Sequence, residues 1–104
     1  MSAASWYVYM VRCADGTFYT GIATDLARRL AEHNDGPRGA RYTRSRRPVS
    51  LAYAEEVASR SEAAAREYRV RRLGVAQKRR LIQQQWERAG EWLTTLGVNR
   101  EVEV

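Results

Sequence analysis

At 104 residues the chain is long enough for one small domain that buries a modest core without staples. A single cysteine, Cys13, excludes an internal disulfide framework, and no apolar run is long enough to read as a membrane span. Eighteen Lys and Arg against twelve acids leave a formal net charge of +6, which favours a polyanionic partner over an acidic protein's partners. The N-terminus carries neither the basic nor the apolar region of a signal peptide, so a soluble, cytoplasmic protein with no membrane partner is expected.

In chain order, residues 6–13 are rich in aromatic and β-branched types and predict a strand, with residues 17–23 as its partner. Asp25 suits the N-cap of a helix through Asn34, with Leu26 and Leu30 facing inward. A Gly, Pro and Arg-rich loop, "DGPRGARYTRSRRP", follows, with room for one short turn. "VSLAYAEEVA" predicts a third strand. Ser59 and Glu62 stand at capping-box spacing and open a helix through Leu73, which Gly74 stops. A last helix is expected from Val75 to Leu93, broken near Gly90, with "GVNREVEV" as a loose tail. The order β-β-α-β-α-α predicts an α+β domain, a small three-stranded, mainly antiparallel sheet flanked by helices.

The cations are clustered. Arg38, Arg41, Arg44, Arg46 and Arg47 fall in "RGARYTRSRR", and seven more lie between Arg66 and Arg80, Arg71 and Lys78 among them. A guanidinium fork matches phosphate oxygens, so these segments suit nucleic acid; a solvated basic face is the plainer reading.

Three sets of residues fit an ordinary core poorly. On the helix after Ser59, Ala63, Glu67 and Val70 share one stripe with Ala64 beside it, and the two alanines would let the helix lie close to the sheet. Glu67 then projects from a face that should be apolar and needs a partner, either a metal or Arg71 four residues on. On the first helix Arg29 and His33 leave the same face. That pair suits phosphoryl chemistry, or else it is a surface arginine and a helix C-terminal histidine favoured by the dipole. Tyr9 and Tyr19 flank an Asp15-Gly16 turn. A two-residue loop points the two phenols to opposite faces. A three-residue loop, Ala14-Asp15-Gly16 with Gly16 left-handed, puts Tyr9 opposite Gly21 and both phenols on one face. Gly21 removes a side chain where something must come close.

Tyr7-Val8-Tyr9, Tyr19-Thr20-Gly21, Arg29, His33 and Glu67, with "YTRSRRP" between, together resemble the GIY-YIG nuclease superfamily, above all its small single-domain bacterial members. The resemblance covers Trp6 to Ile82. It implies phosphodiester hydrolysis with one divalent cation, Mg²⁺ or Mn²⁺. Carried over by position, Glu67 would be the metal ligand, Arg29 would hold the scissile phosphate, and Tyr19 or Tyr9 would activate the attacking water with His33 assisting. Residues 1–84 would form the nuclease-like domain, and residues 85–104 a helical extension and tail of the same domain. There Trp86 and Trp92 are expected to cap the core rather than bind bases.

Tyr7 stands where the family name has glycine, Thr20 where it has isoleucine, and Ile22 where some relatives carry a lysine. The leading expectation is a metal-dependent endonuclease acting on DNA, structure-selective or non-specific, in repair or recombination. Sequence-specific cutting would need the short basic loop or a protein partner. A weakly active or inactive nucleic-acid-binding module is the alternative, and a protein-interaction domain follows only if the arginines are scattered.

Overall fold

The computed structural model describes residues 5–95, the side chains of residues 88–95 excepted. Three antiparallel strands, β1 (Trp6–Arg12), β2 (Phe18–Ala23) and β3 (Ser50–Val57), form one sheet in the order β2-β1-β3. Two helices precede β3, α1 (Leu26–Asn34) and the four-residue α2 (Arg41–Arg44), and two follow it, α3 (Arg60–Arg71) and α4 (Val75–Thr95). The α+β architecture is the one expected.

The hairpin uses the three-residue loop. Gly16 adopts φ +86°, its N–H donates to the Cys13 carbonyl at 2.9 Å, and Cys13 N–H donates to the Thr17 carbonyl at 2.8 Å. This register pairs Tyr9 with Gly21 and turns Tyr19 to the same face. A Cβ built on Gly21 would lie 2.6 Å from the Tyr9 hydroxyl, so the close neighbour that demands glycine is the Tyr9 ring itself.

Val8, Tyr9, Met10 and Val11 are all buried, and successive strand residues point to opposite faces, so β1 is covered on both sides. α1 covers the Tyr9 side through His33, and α3 lies across β1 and β2. α1 starts where expected, with the Asp25 carboxylate accepting from Arg28 N–H at 3.0 Å, a cap worth about 1 kcal/mol. Asn34 at its far end exchanges two hydrogen bonds with the Val49 backbone, at 2.6 and 2.8 Å, and so ties α1 to the entrance of β3. Gln85 of α4 pairs with the backbone of Ala54 on the outer edge of β3, which closes an edge otherwise open to another strand.

Ser59 caps α3, but the Glu62 carboxylate accepts from Ala58 N–H rather than completing the box on Ser59. The helix ends at Arg71, short of Leu73. Of the stripe expected to pack, Ala63 and Val70 are fully buried, whereas Ala64 is exposed. α3 therefore rests on a narrow seam, and close approach needs one alanine rather than two. α4 runs unbroken through Gly90 to Thr95 and spans the expected division at residues 84 and 85. Trp86 packs in the core, as expected; the Trp92 side chain and the tail from residue 97 lie outside the described residues. Among the described residues no helix is long and apolar enough to cross a membrane.

Candidate active site

A cavity of about 530 Å³ opens beside β2, and its wall includes Tyr9, Tyr19, Gly21, Arg29, Glu67, Arg71 and Lys78. The strands supply the tyrosines, α1 the guanidinium, α3 the carboxylate and Arg71, and α4 the lysine. Four of the five residues singled out from sequence thus meet at one concave surface. The fifth, His33, is fully buried and sits behind the tyrosines rather than in the cavity wall.

His33 is the hub of that layer. Its Nε2 lies 2.7 Å from the Tyr9 hydroxyl and its Nδ1 lies 2.9 Å from Thr43 Oγ1, while the Tyr19 ring meets it edge-on at 5.3 Å. Thr43 spends its hydroxyl proton on the Ala40 carbonyl at 3.0 Å. Ala40 N–H approaches the same Nδ1 at 3.4 Å, so both ring nitrogens of a neutral imidazole are engaged within the protein. Burial and the nearby Arg29 charge push the His33 pKa down to about 4, consistent with that neutral form. A neutral ring gains nothing from the helix C-terminal dipole, so His33 is placed by its hydrogen bonds, not by the end of α1.

Tyr9 is equally settled. Burial pushes its pKa up to about 12, against the lowering influence of the Arg29 guanidinium, which hydrogen-bonds its hydroxyl. A phenol of that pKa stays protonated at any neutral pH. Arg29 also donates to Glu32 Oε1 at 2.9 Å and to the Arg38 carbonyl at 2.8 Å, so the guanidinium is fixed before any ligand arrives. Glu32 is in turn held ionised below its ordinary range by its hydrogen bond from Arg29.

Tyr19 sits in a stack. Its ring lies against Tyr42 at 6.0 Å and 26°, and the Arg46 guanidinium lies over the Tyr42 ring at 3.8 Å. Arg46 is anchored to Asp15 of the hairpin loop at 3.0 Å. Tyr42, Thr43 and Glu32 were not singled out from sequence. Tyr42 and Thr43 lie within "YTRSRRP", but nothing in that run says that they reach Tyr19 and His33.

The basic residues divide. Arg47 donates to the main-chain oxygens of Glu32, His33 and Gly36, and Arg46 to Asp15 and the Tyr42 carbonyl, so both hold the loop to the domain. Arg38, Arg41 and Arg44 are exposed on that loop, and Arg71 and Lys78 face the cavity. Burial lowers the Lys78 pKa.

Among the described residues Glu67 is the one carboxylate in the cavity wall, its side chain 17% exposed and paired with Arg71 at 3.5 Å. Among the described residues no three His, Cys, Asp or Glu side chains cluster as metal ligands. That donor set does not fit a closed zinc-type centre. It does fit a hard cation that keeps most of its waters and takes one carboxylate and a substrate oxygen.

A family model described as the GIY-YIG catalytic domain matches residues 5–80. A UPF0213 protein of Desulfotalea psychrophila is 58% identical over 78 residues, covering 75% of this chain and 71% of that protein. A UPF0213 protein of Halobacterium salinarum is 55% identical over 76 residues, covering 73% and 97%. The solution NMR structure of a UPF0213 protein from Bacillus halodurans superposes with a TM-score of 0.51 at 35% identity, over 93% of this chain and 99% of that one.

Proposed function

The chain belongs to the GIY-YIG catalytic domain family, a nuclease family, and from that premise we propose that it is a metal-dependent endonuclease hydrolysing DNA phosphodiester bonds. The observation that carries the reading is the single cavity into which three separate elements deliver Tyr19, Arg29 and Glu67, with Arg71 and Lys78 at its margin.

In this reading Arg29 receives a non-bridging oxygen of the scissile phosphate. Its bonds to Glu32, the Arg38 carbonyl and Tyr9 orient it beforehand, so little reorganisation is needed as charge grows in the transition state. Tyr19 orients the attacking water and, once its own proton has passed to solvent, takes a proton from it as a phenolate, whereas burial keeps the Tyr9 hydroxyl protonated. Water forms a new P–O bond as one bridging P–O bond breaks, and the departing oxygen takes up a proton. Glu67 would hold Mg²⁺ or Mn²⁺, which would supply positive charge to the same phosphate. Tyr9 and His33 act from behind, as the frame that fixes Arg29 and the Tyr19 ring. Arg38, Arg41 and Arg44 extend the phosphate-facing surface beyond the cavity, and a protein partner would be the source of any sequence specificity.

The Glu67–Arg71 pair favours a second reading, in which the carboxylate is neutralised by its own helix and the cavity binds DNA without cutting it. One assay separates them: purified protein with labelled branched, nicked, duplex and single-stranded DNA and matching RNA, in Mg²⁺, Mn²⁺ or EDTA. The endonuclease reading expects cleavage with either metal and none in EDTA. Binding without cleavage of any substrate establishes the second reading.

A further inference from the structure

A second cavity, of about 270 Å³, adjoins the first. Ile22 and Arg29 belong to both walls, so Arg29 stands at the shared sill between them. The far wall is Trp6, half-buried against the core, with Arg60 at 5.7 Å from its ring. Asp25, Arg28 and Glu32 complete the polar part.

We propose that this second cavity is a subsite for one unpaired nucleobase, that of the nucleotide next to the phosphate held at Arg29, with Trp6 as its stacking surface. The proposal rests on the nuclease reading above for the position of that phosphate. Three observations carry it. A strand whose phosphate lies on the shared sill must place a neighbouring nucleotide on either side, and one side is this cavity. Its volume lies below the roughly 300–1,000 Å³ typical of drug-sized ligands, room for a single base and not for a base pair. Its charge also differs from the first cavity's. There Arg29, Arg71 and Lys78 face one carboxylate, whereas here Arg28 and Arg29, with Arg60 beside Trp6, face two, Asp25 and Glu32, a smaller cationic excess that suits a phosphate less and offers carboxylate oxygens to a base's amino edge. An indole beside groups of both charges suits a base, since every base presents a π-face. The substrate class that follows is a strand with at least one unpaired nucleotide, such as a flap, a gap edge or a single strand, in preference to continuous duplex.

Binding in EDTA tests this without requiring cleavage. Fluorescence anisotropy is read with a labelled single-stranded oligonucleotide and with a blunt duplex, using the parent, Trp6→Phe and Trp6→Leu, each checked by circular dichroism. The parent should prefer the single strand. Trp6→Leu keeps an apolar side chain but no π-face and should weaken single-strand binding about tenfold, with duplex binding unmoved and Trp6→Phe close to the parent. On the unaltered protein, a 5-iodouracil-substituted single strand irradiated in EDTA should give an adduct that peptide mass spectrometry maps to Trp6; this readout holds even if a variant fails to fold. Equal single-strand affinity for parent and Trp6→Leu, or adducts only at other aromatics, overturns the proposal. A parent that binds through Trp6 yet cuts nothing sinks the endonuclease reading alone.

Discussion

The Tyr9 hydroxyl and His33 Nε2 lie 2.7 Å apart in the interior, where burial favours the neutral form of each. Both are largely withdrawn from water, and both pKa values move to favour the uncharged species, Tyr9 up to about 12 and His33 down to about 4. The pair is a structural hub behind the cavity, and its protonation is coupled to folding.

That coupling predicts an acid limb to stability. In the unfolded chain His33 titrates near 6.5, in the folded protein near 4. Above pH 6.5 both states carry the neutral ring and stability is independent of it. Between pH 6.5 and 4 the unfolded state binds the extra proton, so stability should fall with pH by a total on the order of 3 kcal/mol. Urea unfolding midpoints measured from pH 4 to 8 should show this loss, and a His33→Gln variant should be less stable at pH 7 but lose the His-dependent slope.

Gly21→Ala should destabilise the fold by about 1–3 kcal/mol, because the new methyl would meet the Tyr9 hydroxyl and ring carbons 2.6–3.1 Å away. Gly16→Ala should also destabilise, through its positive φ of 86° rather than through contact, since nothing lies near its would-be Cβ. Adding Tyr9→Phe to Gly21→Ala distinguishes the two causes. It should recover part of the Gly21 loss by removing the nearest clashing atom, and none of the Gly16 loss, as read from thermal melts.

Tyr42 is a positioning residue for Tyr19. Its ring meets both the Tyr19 ring and the Arg46 guanidinium and so ties Tyr19 to the 38–47 loop. Tyr42→Ala should therefore lower kcat at least tenfold with KM little changed, whereas Tyr42→Phe, which keeps the ring, should retain most of the activity. A rise in KM alone for Tyr42→Ala would mean that the residue contacts substrate.

The strands and α1 were legible because each depends on local signals, alternating apolar residues and Asp25 ahead of Leu26. Asp15-Gly16 marked the hairpin but left two registers open until the left-handed Gly16 decided between them. Gly21 could be marked as a point of close approach, yet its neighbour could not be named without the fold. The face shared by Arg29 and His33 was also correct, but helical spacing says nothing of what covers that face. Loop residues 38–47 decide it, sealing His33 with Thr43 and capping Tyr19 with Tyr42. The same loop explains why a run of arginines misleads when read as one surface. Arg47 serves three carbonyls of the protein, while Arg44, three residues earlier, is exposed. Gly90 misled in the opposite direction, since one glycine costs a helix about 1 kcal/mol, too little to break one of 21 residues.

The account stands most directly on Glu67. Glu67→Gln keeps the size and helix propensity of the side chain and removes the charge that would hold a divalent cation. Cleavage of a labelled flapped DNA in Mg²⁺ should be measured for the parent and this variant side by side, with binding of the same DNA measured in EDTA. The account predicts that the parent cuts, that Glu67→Gln loses cleavage by a hundredfold or more (about 3 kcal/mol of transition-state stabilisation), and that the variant binds DNA at least as tightly. A Glu67→Gln protein that cuts as fast as the parent in Mg²⁺ would contradict it.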